Sequence, residues 1–265
     1  MTQMPKITAV IHTLNEEDNI RSCLESVKWV DEIVIIDMYS YDKTVDICRE
    51  YTERVYFYEQ VGFADPARNF GLSKASGDWI LSIDADERVP PKLAENLRTL
   101  SVKGNEFDAV NIPLIHNMFG KWIDHTFGTT HVVRFFKRGV VHYSGRIHSV
   151  HLASDVKGTI YQLPWEREIA IRHFPFKDIS QFIFKVKRYA PIEARTLYES
   201  KINFKWHNLF IPPLKEFRRR YLKGRGYKDG VYGLTLSLLM AFYRLSIYAK
   251  LWGLERFERG GKRQG

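Results

Sequence analysis

Two aspartates one residue apart, Asp84 and Asp86, follow a short apolar run over residues 79–83 that opens after Gly77-Asp78. Such a run reads as a strand covered on both faces, which puts its carboxylates at the C-terminal tip. That edge is where open α/β sheets bind ligands, and hard oxygen donors there suit Mg²⁺ or Mn²⁺ carrying phosphate oxygens. Taken alone, Asp-x-Asp is equally the pattern of a solvated acidic turn, so the flanking elements have to decide.

A second acid, Asp37, closes the apolar run 32–37, and an acid at that place in a βαβ unit can accept hydrogen bonds from a ribose or a base edge. Arg68 falls in the first turn of a helix expected over residues 66–74, where the dipole disfavours a cation unless an anion or carboxylate compensates. Thr13-Leu14-Asn15-Glu16 follows a β-branched run over 7–12, and Asn15 with the acids after it makes a good helix start on capping grounds alone. There is no Gly-x-Gly-x-x-Gly after that first strand, so any nucleotide would be held through side chains. Farther on, His116, Trp122, Asp124, His125, His131, His142, His148 and His151 crowd the loops, without the His-x-x-x-His spacing that would point to zinc.

The elements that must position these groups are legible as four β-α steps over residues 1–100. Short strands at 109–115, 132–136 and 169–173 follow, and then helices at 179–200, 213–222 and 230–254. The chain has 265 residues, 45% hydrophobic and 14% aromatic, enough apolar material for one large domain with an appendage. Cys23 and Cys48 sit within amphipathic patterns and read as buried thiols in a reducing compartment. The N-terminal residues run straight into a strand pattern and leave no room for a cleavable leader, so a cytoplasmic location is expected. Charge is unevenly placed: residues 171–265 carry 21 Lys+Arg against 7 Asp+Glu, a net of +14, which leaves −5 for residues 1–170. A basic region of this kind is suited to an anionic surface, either membrane phosphate or nucleic acid. The stretch 230–249 is largely apolar but contains Arg244, which favours a buried or interface-lying helix over a membrane span.

In order along the chain, Thr13-Leu14-Asn15-Glu16, Asp37 with Ser40 and Thr44, Ala67-Arg68-Asn69, Gly77-Asp78-Trp79 and Asp84-Ala85-Asp86-Glu87 resemble the inverting glycosyltransferases of family 2, with the GT-A fold. Arg134-Phe135-Phe136-Lys137-Arg138, Ile147-His148 and Tyr227-Lys228-Asp229-Gly230 resemble the subset that includes lipopolysaccharide-core glucosyltransferases. The resemblance implies an α/β fold with a Rossmann-like mixed sheet flanked by helices. It divides the chain into a catalytic domain over 1–175, with a nucleotide-sugar half (1–100) and an acceptor half (101–175), and a basic helical extension over 176–265. It also implies that Thr13, Asn15, Glu16, Asp37 and Arg68 hold the nucleotide, usually uridine diphosphate. Asp84 would contact the ribose or sugar, and Asp84, Asp86 and His173 would form the Mn²⁺ or Mg²⁺ site. The activity implied is metal-dependent transfer of a hexose to a glycan or lipid-linked acceptor in envelope polysaccharide or lipopolysaccharide assembly; with the basic C-terminal region, a cytoplasmic enzyme that can meet the inner face of the plasma membrane is expected. Many relatives have His-Glu where this chain has His148-Ser149, which leaves Asp124 and His148 as candidates for the base that inversion requires. Two readings compete: an Asp-nucleophile phosphatase, whose Asp-x-Asp normally ends the first strand, and a nucleic-acid-binding module using the basic region. Neither is favoured, and whether the chain forms homo-oligomers is left open.

Overall fold

The computed structural model describes residues 4–59, 65–103, 106–128, 130–143 and 156–261, with the side chains of residues 65, 66 and 258–261 left out. The chain forms two compact units, one of residues 1–115 and 129–174, the other of 116–128 and 175–265.

In the first unit the β-α steps become β1 (Ile7–Thr13), α1 (Ile20–Ser26), β2 (Glu32–Asp37), α2 (Thr44–Arg49), β3 (Val55–Phe57), α3 (Asp65–Lys74) and β4 (Trp79–Asp84). A two-residue strand β5 (Glu87–Arg88) and α4 (Pro91–Val102) follow. Next come β6 (Ala109–Met118), β8 (Thr130–Lys137), β9 (Ile160–Gln162) and β10 (Ile171–Phe176), while β7 (Lys121–Ile123), between β6 and β8, belongs to the second unit. Strands β3, β2, β1 and β4 are parallel neighbours, and β8 and β6 continue the sheet antiparallel, with β10 and then β5 beyond them.

The period of two along each strand explains why helices cover both faces. Ile7, Ala9 and Ile11 of β1 pack with Trp79, Leu81 and Ile83 of β4 against α1 and α4, while Val10, Val34, Ile36 and Ile80 face the other way, onto α3. On that second face Gly71 of α3 lies so close to the sheet that a Cβ there would come within 2.7 Å of Val10 Cγ1. The parallel register sets His12 of β1 beside Asp84 of β4, and Thr13 beside Asp37 of β2, so three strand tips end side by side.

The helix that capping rules start at Asn15 starts five residues later, at Ile20. Asn15 instead takes a left-handed turn, φ 54°, because its backbone N–H donates to Ser40 Oγ and its side-chain oxygen accepts from the Tyr41 N–H. Long-range partners override the local cap here.

The second unit holds α5 (Ile179–Glu199), α6 (Ile211–Phe217) and α7 (Val231–Gly261), with the β-hairpin arm 116–128. The helix expected over 213–222 is shorter, since Arg218–Lys223 winds as a π-helix after α6. Phe182, Val186, Ala190 and Ala194 of α5 pack with Ile247 and Leu251 of α7, and Met118 and Ile123 of the hairpin with Leu236. The buried Asp229 carboxylate accepts from the Thr126 N–H at 2.7 Å, the Thr126 hydroxyl at 2.6 Å and the His125 N–H at 3.2 Å, and so anchors the hairpin's far end. Those donors hold its pKa below the ordinary carboxylate range despite burial. Gly233 is obligatory beside this anchor, because a Cβ there would lie 1.8 Å from the Gly226 carbonyl oxygen.

Candidate active site

The tips of β1, β2 and β4 carry the candidate groups, and each is held by a different part of the first unit. Asp37 is fully buried and accepts from both the backbone N–H and the hydroxyl of Ser40, at 2.8 and 2.6 Å. The Glu16 N–H donates to Thr44 Oγ1 at 2.8 Å, and the Glu16 carboxylate accepts from Asn19 at 2.7 Å. The loop after β1 is thus tied to the loop after β2 through Ser40 and Thr44. Thr13 Oγ1, at the centre of this edge, is buried with no hydrogen-bond partner among the described residues. A buried hydroxyl without a partner is costly, and one at a strand tip is available to a ligand.

At the tip of β4 a four-charge cluster replaces the solvated acidic turn. Asp84 accepts from Arg68 at 2.8 and 3.0 Å and from Arg134 at 2.6 Å, and Arg134 also donates to Glu87 at 2.8 Å. Glu87 closes the turn by accepting from the Asp84 N–H at 3.0 Å. The two guanidinium side chains are only 4% and 3% exposed. Asp84 is therefore the carboxylate that compensates for Arg68 at a helix start, and Asn69 beside it clamps the Tyr143 backbone through reciprocal bonds of 2.8 and 2.9 Å. Burial of Asp84 works against its charge, but Arg134 and Arg68 outweigh that and hold its pKa well below the ordinary range. Burial raises the pKa of Glu87, and the attraction of Arg134 offsets this only in part. Nε and Nη1 of Arg134 are buried without hydrogen-bond partners among the described residues.

Asp86 stands on the outer side of the same turn. The pairing of β10 with β5 sets His173 opposite Glu87, and His173 Nε2 comes 3.4 Å from Asp86 Oδ2. Burial opposes protonation of His173, yet Asp86 and Glu87 together raise its pKa. A carboxylate beside an imidazole is a donor pair that a divalent ion accepts, whereas both oxygens of Asp84 already take guanidinium N–H groups. No cluster of three or more His, Cys, Asp or Glu able to hold a metal occurs among the described residues.

Thr13, Asn15, Glu16, Asp37, Arg68, Asp84, Asp86 and His173 thus all lie in the first unit, at or beside these strand tips. Asp124 lies in the second unit, exposed on the hairpin turn that Asp229 holds, and His148 lies outside the described residues. Arg134 and Glu87 were not singled out as site residues from the sequence. A signal for the first existed: in strand β8 it lies in phase with Val132 and Phe136, and a cation on a buried face demands a carboxylate.

His12, beside Asp84, is driven by burial and the Arg68 charge to a pKa of about 3, against an ordinary 6.5. The unfolded chain therefore takes up this proton first, and stability falls as pH drops from 6.5 toward 3, by about 1.4 kcal/mol per unit. His173, whose pKa is raised, acts in the opposite sense: its contribution is complete below 6.5 and is lost as pH rises through its folded value. Comparing urea unfolding of the wild type and His12→Gln isolates the first effect. Between pH 7 and pH 5 the wild type is expected to lose about 2 kcal/mol more than the variant; equal losses would contradict a neutral, buried His12.

The family model for glycosyl transferase family 2 matches residues 8–154. The chain belongs to this family. An uncharacterized glycosyltransferase of Rickettsia typhi is 27% identical over 94% of the chain and 87% of its own length. The lipopolysaccharide core biosynthesis glycosyltransferase LpsC of Rhizobium meliloti is 26% identical over 94% of the chain and 93% of its own length. Among solved structures, the mannosyltransferase PcManGT of Pyrobaculum calidifontis, in complex with GDP-Man and Mn²⁺, superposes with a TM-score of 0.53 at 16% identity, covering 95% of this chain and 88% of that one. This family 2 glycosyltransferase therefore has the GT-A fold, a mixed α/β sheet with flanking helices, as the motif order implies.

Proposed function

We propose that this glycosyltransferase transfers a hexose, with inversion and with the help of a divalent metal, from a uridine diphosphate sugar to a hydroxyl of a lipopolysaccharide-core or other envelope glycan acceptor. The observation that carries the reading is the buried Arg68–Asp84–Arg134–Glu87 cluster with Asp86 and His173 at its edge. It holds Asp84 ionised beside two guanidinium groups, next to the loops of Thr13, Asn15, Glu16 and Asp37 that would take the nucleoside.

Asp86 and His173 are the residues that would hold Mn²⁺ or Mg²⁺. Bound there, the ion would supply Lewis-acid neutralisation of the diphosphate as its leaving oxygen gains charge. Asp84, fixed between two guanidinium groups, is arranged to accept from a ribose or sugar hydroxyl, and the unpartnered edge of Arg134 is a donor beside it. Inversion needs a base on the acceptor side, and Asp124 and His148 remain the candidates. The lipopolysaccharide assignment draws on LpsC, a lipopolysaccharide core biosynthesis glycosyltransferase that aligns over nearly the whole of both chains.

A panel of nucleotide sugars with Mn²⁺, scored by thermal shift and donor hydrolysis, tests the reading. A uridine diphosphate hexose at 100 times its dissociation constant is expected to stabilise the protein by about 2.7 kcal/mol, with chelator abolishing the gain. A response confined to guanosine-linked sugars would overturn the uridine assignment. A full response in chelator would overturn the metal.

A further inference from the structure

We propose that the second unit is a docking surface for an anionic phospholipid leaflet, with α7 lying in the headgroup plane. The inference does not depend on the donor assignment, because every residue it uses lies outside the first unit.

Exposed apolar side chains are concentrated in this unit. Among the described residues, nineteen large hydrophobic side chains are exposed there, against seven in the larger first unit. Helix α7 is apolar on two faces. Ile247 and Leu251 pack on α5, while Val231, Leu234, Leu238 and Phe242, spaced three or four residues apart, form a separate stripe in which Val231 is 77% and Leu238 54% exposed. A soluble helix needs one apolar face, so the second requires an apolar partner.

The flanking chain indicates what that partner carries. Residues 201–228 hold nine Lys or Arg and a single acid, Glu216. Glu216 is buried and paired at 2.6 Å with both Arg219 and Arg220, so it does not offset the exposed cations. Trp206, Phe210 and Leu214, between 64% and 73% exposed, are flanked along this stretch by exposed Lys205 on one side and exposed Lys215 and Arg218 on the other. Apolar and aromatic groups interleaved with cations are what an anionic headgroup layer accepts, with rings and aliphatic chains entering the interface and ammonium and guanidinium groups meeting phosphate.

The alternatives fit less well. A second copy would bring the same dense positive charge to a self-complementary contact. Nucleic acid gives an aliphatic stripe nothing to bind. The segment Val231–Phe257 is long and apolar enough to cross a membrane. However, Arg244 pairs with Glu193 at 3.6 Å and Glu255 accepts from the Phe204 N–H, so the helix carries charges tied to its own unit.

Flotation of the full chain with liposomes tests the proposal. Binding to phosphatidylglycerol-containing vesicles is expected, with at least tenfold weaker binding to neutral phosphatidylcholine vesicles and release by high salt. Replacing Lys215, Arg218 and Lys223 together by Ser should weaken binding by about 100-fold. Leu238→Ser with Phe242→Ser should abolish what survives moderate salt. Donor hydrolysis in solution and the far-ultraviolet circular dichroism spectrum should stay unchanged in both variants, which separates failure of docking from failure of the fold or of the donor reading. Equal indifference to both vesicle types overturns the proposal, and self-association that Leu238→Ser/Phe242→Ser breaks would give the stripe to a second copy. Tighter binding to duplex nucleic acid than to anionic vesicles also overturns it. Resistance to both salt and alkaline carbonate, with detergent required for release, would replace docking by insertion.

Discussion

Asp86→Asn is expected to slow sugar transfer by about three orders of magnitude with the fold intact. The carboxamide keeps the shape of the side chain but loses the charge that faces His173 at 3.4 Å and that would hold the divalent ion. Lewis-acid stabilisation of a departing diphosphate amounts to several kcal/mol, and each 1.36 kcal/mol is tenfold in rate, so about 10³ is the scale of the loss. Initial rates measured over a Mn²⁺ titration check it. A variant within tenfold of the wild type, or a wild type indifferent to chelator, would remove Asp86 from the metal site.

Arg134→Met is expected to cost about 3–5 kcal/mol of stability, because it strips the buried Glu87 and the half-buried Asp84 of the cation they share. Asp84 and Glu87 both reach Arg134 Nη2, at 2.6 and 2.8 Å, and Arg68 contacts only the first of them. Thermal unfolding should show a drop of roughly 10 °C. Adding Glu87→Gln should recover part of it, since burial already pushes that acid toward its neutral form. A loss below about 1 kcal/mol would mean that the cluster is solvated and that its charges are not a fixed feature of the site.

The strand tips were legible in the sequence because strand signals are local. Residues 32–37 and 79–83 are continuous apolar runs ended by acids, and β2 and β4 fall on them to within one residue. Arg68 was legible too, through the mismatch between its charge and the helix dipole. What could not be read there depends on partners far away in sequence. Arg134 meets Asp84 across 50 residues and Glu87 across 47, and nothing near Arg134 announces either acid. Asn15 gave a false local signal for the same reason, since Ser40 and Tyr41 claim its backbone and side chain across 25 and 26 residues.

The hairpin arm 116–128 has a consequence for how the chain is made. Its anchor is Asp229, whose bond to the His125 N–H spans 104 residues, and Leu236, against which Met118 and Ile123 pack, is synthesised later still. Translation proceeds at about 5–20 residues per second, so the hairpin emerges roughly 5–20 s before the residues that hold it. Once residue 174 has followed, the first unit has every strand and helix of its own available for folding, while the arm between β6 and β8 still waits for Asp229 and Leu236, which are not yet made. The growing chain is therefore most open to aggregation and to chaperone capture in that window, between the completion of its catalytic sheet and the arrival of α7.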